Sequence, residues 1–500
     1  MGWNFSMIEG FPMPMSGTMR KTALQLTAAL TLALTASATA QNALPSLGDR
    51  ISGYVSMEQE HRLGREFLRS LRRSTPTISD PLLNNYLENL TYRLAAKSEL
   101  RDHRLAFIVV DSEALNAFAV PGGVIGVNSG LFLNAETEGE FASVIAHELA
   151  HVSQRHFARQ IEQAQTARIG QMAAMLASVV VMATSDASHG QAALMATQGR
   201  AIENQLRFSR SNEAEADRVG IKTLFDAGYD PYTMPMLFQR LASANRYGTR
   251  PPEFLLSHPV TESRIADSRG RAGRYPERAY SENLEYLLMR ARVVTHYIPN
   301  KSDAIIEYQR LLEAADTEVS RDGAVYGLAM AYWENEEYAR ANETLAPLLE
   351  KDPNRISYLV TQAEILTAQN EAGLAASFLE RHLSINPDNH PLTMAYADAL
   401  IESRQFQQAA DLLESHVKTR PEDFSIWYLL AEIQGQAGDI SRVHQARAEY
   451  FLLIGDFRRA REQLQFALNI ETSKPANGAA VATVQQRIRD IQALEAELAG

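Results

Sequence analysis

The chain has 500 residues, no cysteine and a formal net charge of -12. Without cysteine there is no disulfide framework, thiolate metal site, thiol nucleophile or cysteine-borne lipid. The acidic balance excludes a general nucleic-acid binder, which needs basic surface against phosphates, and the length suits two or three domains.

Residues 1–18 carry no targeting pattern and read as an upstream extension from an early start codon. From Met19 a secretory signal is expected. Arg20 and Lys21 are positive, Thr22 to Ser37 is uncharged and rich in Leu, Ala and Thr, and Ala38, Thr39 and Ala40 form a small-x-small cleavage site. Cleavage after Ala40 would start the mature chain at Gln41 and place it in a bacterial periplasm. An N-terminal membrane anchor suits this short, Thr-rich run less well.

Residues 50–100 read as amphipathic helix with many charges, among them Glu58, Glu60, Arg62, Arg65, Arg69, Arg72 and Arg73. Leu105 to Val110 reads as a short buried strand, and Val120 to Val127 as a turn followed by a second strand. Thr137 and Glu140 have capping-box spacing at the start of a helix. That helix carries His147, Glu148 and His151. Histidines four apart on a helix project from one face, so both imidazoles reach one metal ion, and the glutamate is placed to take a proton from metal-bound water.

A catalytic zinc needs a third protein ligand and an open position. The metzincin pattern would put glycine at 154 and histidine at 157, where this chain has Gln154 and Phe157. His156 lies five residues past His151, about 140° around a continuous helix, and reads as structural or exposed. Downstream, a helix is expected from Asn212 to Asp226, stopped near Gly228. Glu213 and Asp217 share one face of it. Glu213 is the expected third ligand, and Asp217 the acceptor for the outer N–H of a ligand histidine. Glu215, on the opposite face, reads as solvated.

Between these helices Ile169 to Ser185 is uncharged, and Asp186 is the sole Asp, Glu, Lys or Arg between Arg168 and Arg200. Seventeen residues fall short of the roughly 20 needed to span a bilayer. The stretch reads as a buried helical hairpin or, alternatively, as an apolar flap over 169–199 that makes peripheral contact with a membrane or an unfolded client.

The C-terminal half is periodic. Pro353, Pro387 and Pro421 are 34 residues apart, as are Ala329, Ala363, Ala397 and Ala431, and again Ala341, Ala375 and Ala409. Small residues where two helices approach, with a proline ending the second helix, mark a tetratricopeptide array over about 284–470. Tyr332, Tyr338, Tyr396 and Phe406 are further core candidates. Such arrays form curved solenoids that usually bind peptide or protein. The expected fold is mainly α: a gluzincin-type α+β metallopeptidase domain with a small β-sheet, followed by an α-solenoid. The expected division is 1–40 extension and signal, 41–283 peptidase, 284–473 repeats, and 474–500 linker and capping helix.

Four segments resemble the M48 family of gluzincin metallopeptidases: Asn116 to Gly123, His147 to His151, Glu213 to Asp217, and Ser257-His258-Pro259 with Arg264-Ile265. The signal and the repeats narrow the resemblance to the periplasmic branch of that family. It implies one Zn2+ held by His147, His151 and Glu213, with Glu148 as general base. It also implies endopeptidase action on misfolded or stalled outer-membrane proteins, and docking on the outer-membrane assembly machinery through the repeats. Asn116 to Asn128 would be the strand beside the cleft, with Asn116, Ala117, Phe118, Ala119, Pro121 and Gly122 facing an extended substrate. Two roles are open to His258: stabilising the oxyanion, or taking the fourth zinc position and holding the enzyme latent. Membrane-embedded relatives have transmembrane helices, and this chain has no convincing span, so integral-membrane or prenylated substrates are not expected. The competing class is a chaperone or assembly scaffold with proteolysis secondary.

Overall fold

The computed structural model describes residues 55–159, 210–247 and 253–499. The expected signal peptide and the apolar segment 169–199 fall outside the described residues. Among the described residues, no helix is long and apolar enough to cross a membrane.

Two helices open the N-terminal part. The first, Met57–Ser74, begins in a full capping box between Ser56 and Gln59. The second, Pro81–Ala95, is capped by Asp80, whose carboxylate accepts from the N–H groups of Leu82 and Leu83. Three strands follow: β1 (Ala106–Val110), β2 (Ala117–Val120) and β3 (Val124–Asn128), in the order β1-β3-β2. β1 runs parallel and β2 antiparallel to β3. All five residues of β3 are buried, as a central strand covered on both faces requires. The expected strand at 105–110 is thus present, and 116–128 is a hairpin. At its tip Gly122 has φ +78°, and a Cβ there would lie 2.4 Å from the Glu60 carbonyl oxygen, so the turn rests directly on the first helix.

The motif helix, Glu138–Ser153, is capped by the Thr137 hydroxyl, which accepts from the Glu140 N–H at 3.2 Å. The Glu140 carboxylate accepts from Glu136 N–H and Arg240, so only half of the capping-box spacing is used. Nearly every residue from Glu138 to His151 is buried, making this the central helix of the N-terminal core. Against it packs the acidic helix, Arg210–Asp226, which ends before Gly228 at φ +89°. The helices approach through small residues: Ala150, Ala216 and Val219 form one apolar contact, and a Cβ on Gly220 would sit 3.3 Å from the Ala146 backbone.

From Leu284 to Ser473 the chain forms successive helical hairpins, followed by a last helix, Gly478–Ala499. All seven alanines of the two periodic series are buried. Pro353, Pro387 and Pro421 each follow the second helix of a hairpin, after Lys351, Ile385 and His416. Tyr332 and Tyr396 are buried, while Tyr338 and Phe406 are half-buried. A further series of period 34 lies in the turn inside each hairpin. Glu336, Asn370, Arg404 and Gly438 all have φ between 61° and 87°. The N–H after each one bonds the carbonyl five residues back, which is the Schellman closure of a helix.

The repeats dock on the first two helices. Arg62, Arg65, Arg69 and Arg72 lie on one face of the first helix. Arg62 is 3.6 Å from Glu497 and Arg65 3.7 Å from Glu422, while Arg69 and Arg72 lie over the rings of Phe457 and Phe424. On the second helix Glu88 pairs with Arg420 at 2.7 Å. Buried Arg292 bonds Asp80, Glu364, Tyr326 and Thr361 together, tying that helix cap to two repeats.

At the same junction the rings of His390 and His416 stack, 12° from parallel, with Nδ1 and Nε2 2.9 Å apart. Burial, partly offset by Asp423, holds the His390 pKa down to about 4. A histidine with a depressed folded pKa contributes stability that is complete above about 6.5 and lost as pH falls toward 4. At about 1.4 kcal/mol per pH unit the full loss is about 3 kcal/mol. Thermal denaturation should therefore show stability rising between pH 4.5 and 7, with a flatter profile in His390→Gln.

Candidate metal centre

Spacing on the motif helix puts His147 and His151 on the face that meets the acidic helix, and Glu213 rises from that helix between them. Its Oε2 is 3.5 Å from His147 Nε2, and its Oε1 is 3.4 Å from His151 Nε2. His258 follows the short helix Glu253–Ser257 and is stacked on Phe254. Its Nδ1 lies 3.2 Å from Glu213 Oε1 and 3.3 Å from His147 Nε2. One donor atom from each of His147, His151, Glu213 and His258 falls within 4.8 Å of all the others, and all four residues are buried.

Asp217, one turn past Glu213, brings Oδ1 to 3.0 Å from His147 Nδ1 in a bent contact. Arg264 grips this carboxylate with two hydrogen bonds of 2.8 Å and contacts Glu213 Oε2 at the same distance. Burial opposes charge on His147, yet the Asp217 and Glu213 carboxylates outweigh it and lift its pKa to about 9. His151 is pushed well below the usual range by burial and by the charge of His147. Burial likewise opposes charge on Glu213, but His258 and His147 hold its carboxyl well below the usual range. Arg264 balances part of this carboxylate charge, and the rest favours a cation among the donors. Three imidazoles and a carboxylate are the donor set that suits zinc-type ions.

Glu148 lies beside this cluster. Its Oε1 is fully buried with no hydrogen-bond partner among the described residues, 3.3 Å from His258 Nε2 but out of alignment with it. Burial raises the pKa of its carboxyl. The Ala119 N–H of β2 faces it and partly offsets that rise. The β2–β3 register explains that contact. Asn116 accepts from Asn128 N–H, so Asn116, Phe118 and Val120 bond to β3, and the backbones of Ala117 and Ala119 face the free edge. Pro121 and Gly122 turn away onto the first helix.

His156 is no donor to the cluster, and of its two expected places it takes the structural one: it is fully buried, with Nδ1 2.8 Å from His151 Nδ1. The motif helix ends at Ser153, and Arg155 takes φ 52°, so His156 starts a new helical stretch that turns it back. Glu215 is not simply solvated either: its Oε2 meets His156 Nε2 at 3.2 Å and Arg159 at 2.5 Å. Arg264 and His156 are the residues whose contacts spacing did not anticipate.

The peptidase family M48 model matches residues 81–272, and two tetratricopeptide repeat models match 326–390 and 366–433. A Vibrio cholerae relative is 36% identical over 417 residues, 83% of this chain and 86% of its own. The beta-barrel assembly-enhancing protease of Escherichia coli K12 is 34% identical over 448 residues, 88% of this chain and 91% of its own. The mitochondrial metalloendopeptidase OMA1 of Arabidopsis thaliana is 32% identical over 170 residues, 34% of this chain and 32% of its own. With a metal-ligand cluster of this kind, at the join of two helices, the molecule is a metalloendopeptidase. The chain belongs to peptidase family M48, in its form that carries C-terminal tetratricopeptide repeats.

Arg264 separates two buried carboxylates from their mutual repulsion. Breaking such a group by removing one partner costs about 3–5 kcal/mol. Chelator-treated Arg264→Met should lose stability on that scale in chemical denaturation, and added zinc should restore part of it.

Proposed function

We propose that this protein is a zinc-dependent endopeptidase of the periplasm that degrades misfolded or stalled outer-membrane proteins and assists their assembly. One observation carries the proteolytic reading: Oε1 of buried Glu148, without a hydrogen-bond partner among the described residues, set between a four-donor cluster and the outer edge of β2. His147, His151 and Glu213 would hold one zinc ion, with Asp217 orienting His147. The bound ion supplies a Lewis acid that acidifies a coordinated water and polarises a peptide carbonyl. Glu148 accepts the proton at Oε1 and returns it to the leaving amine. An extended substrate pairs with the outward backbone of Ala117 and Ala119, in the manner of strand addition.

Of the two roles open to His258, the distances favour the fourth donor position. A resting enzyme closed this way opens when His258 leaves Glu213 and Glu148, making room for the substrate carbonyl. The relatives' name, beta-barrel assembly-enhancing protease, supports the substrate class, and the repeats support recruitment by a protein partner. The reading includes the division into an exported peptidase at 41–283, a solenoid at 284–473 and a cap at 474–500.

Glu148→Gln separates an enzyme from a scaffold. The variant should keep its zinc and lose cleavage of an unfolded outer-membrane protein by about 10²-fold or more. Cleavage at the wild-type rate would refute the assignment of Glu148, and wild-type protein without zinc would refute the metal centre.

A further inference from the structure

We infer that His156 is a positioning residue for the metal centre: through Nδ1 it fixes the ring and the proton of His151, and Glu215 holds it from behind. The inference rests on the metallopeptidase reading of the cluster. His151 turns Nε2 toward the other donors, 3.0 Å from His147 Nε2 and 3.4 Å from Glu213 Oε1. A neutral imidazole that ligates through Nε2 carries its proton on Nδ1. Two ring nitrogens 2.8 Å apart share a single proton between them. His151 Nδ1–H is therefore the donor and His156 Nδ1 the acceptor.

That leaves the His156 proton on Nε2, which faces Glu215 Oε2 at 3.2 Å. Glu215 is fixed in turn by Arg159 at 2.5 Å and Arg218 at 3.3 Å. Each member of the chain determines where the next one carries its proton. The backbone is built to make the contact. The left-handed turn at Arg155 is fastened by that residue's own side chain, which donates to Glu60 Oε2 at 3.0 Å and to the Val55 carbonyl at 2.6 Å. The two ligand histidines are thus held differently: His147 by a carboxylate directly, and His151 by a carboxylate acting through a second imidazole.

The test uses the full chain and zinc itself, with affinity read by competition against a chromophoric chelator and geometry read from the visible spectrum of the Co2+-loaded protein. His156→Leu fills the space and removes the acceptor, and should weaken zinc binding about 10–100-fold and shift the cobalt bands. His156→Asn, smaller but with an oxygen near the Nδ1 position, should recover most of that loss and keep the wild-type spectrum. A space-filling role predicts the reverse order, with Leu binding zinc at least as well as Asn, and that result would overturn the inference. If His156→Leu fails to fold, Glu215→Met at the partly exposed end of the chain takes its place. It should weaken zinc in the same direction, and wild-type affinity there would also overturn the inference. Wild-type protein that binds no zinc would be a different failure, that of the metal centre itself.

Discussion

The close approach of the motif helix to the acidic helix governs the active centre. Neither helix holds the whole cluster; His147 and His151 lie on one, and Glu213, with Asp217 a turn behind it, on the other. Their side chains meet only because Ala146, Ala150, Ala216 and Gly220 let the backbones come together. A larger residue at 220 would press on the Ala146 backbone and spread donor atoms that now lie within 4.8 Å. Packed interiors do not absorb such volume without displacement. Arg264 completes the constraint by neutralising both carboxylates from a third segment, so close packing and electrostatic balance reinforce one another.

The parts legible in the sequence are those set by helical periodicity. The i, i+4 spacing of His147 and His151, and of Glu213 and Asp217, carries through to the distances observed. The alanines and prolines of the repeats likewise land where two helices touch and where the second one ends. Periodicity misleads where the helix stops. The expected angle for His156 assumes an unbroken helix, and the left-handed turn at Arg155, a residue type with no marked preference for that conformation, redirects it. Glu215 does lie away from the donors, as expected, but the redirected segment 156–159 covers part of that face. His258 and Arg264 depend on tertiary placement that no local pattern encodes. The left-handed series is half hidden for a similar reason: of its four positions, Asn370 and Gly438 use residue types that announce such a turn, while Glu336 and Arg404 do not.

Charge in the first helix shows the same limit. Arg62, Arg65, Arg69 and Arg72 look like a solvated stripe, and most such stripes are. Here they meet Glu497, Glu422 and two phenylalanine rings of the repeats. Burial drives the Arg72 pKa down to about 10, a sign of how far this contact removes the guanidinium from water. The surface pairs at 3.6–3.7 Å add little individually. The buried hub at Arg292, with five side-chain partners from three segments, is the stronger tie between the two parts.

A repeat array that closes on its own peptidase loses a freedom that open solenoids have. In an open array each unit contacts only its neighbours, so units can be gained or deleted with little effect elsewhere. Here Arg292 at the start of the array, Phe424 within it and Glu497 in the last helix beyond it all register against residues 57–95. Duplicating one 34-residue unit between them would carry every later contact out of reach. The array therefore works as a caliper of fixed span, and its length should drift between homologues far less than the identity of its outward-facing residues.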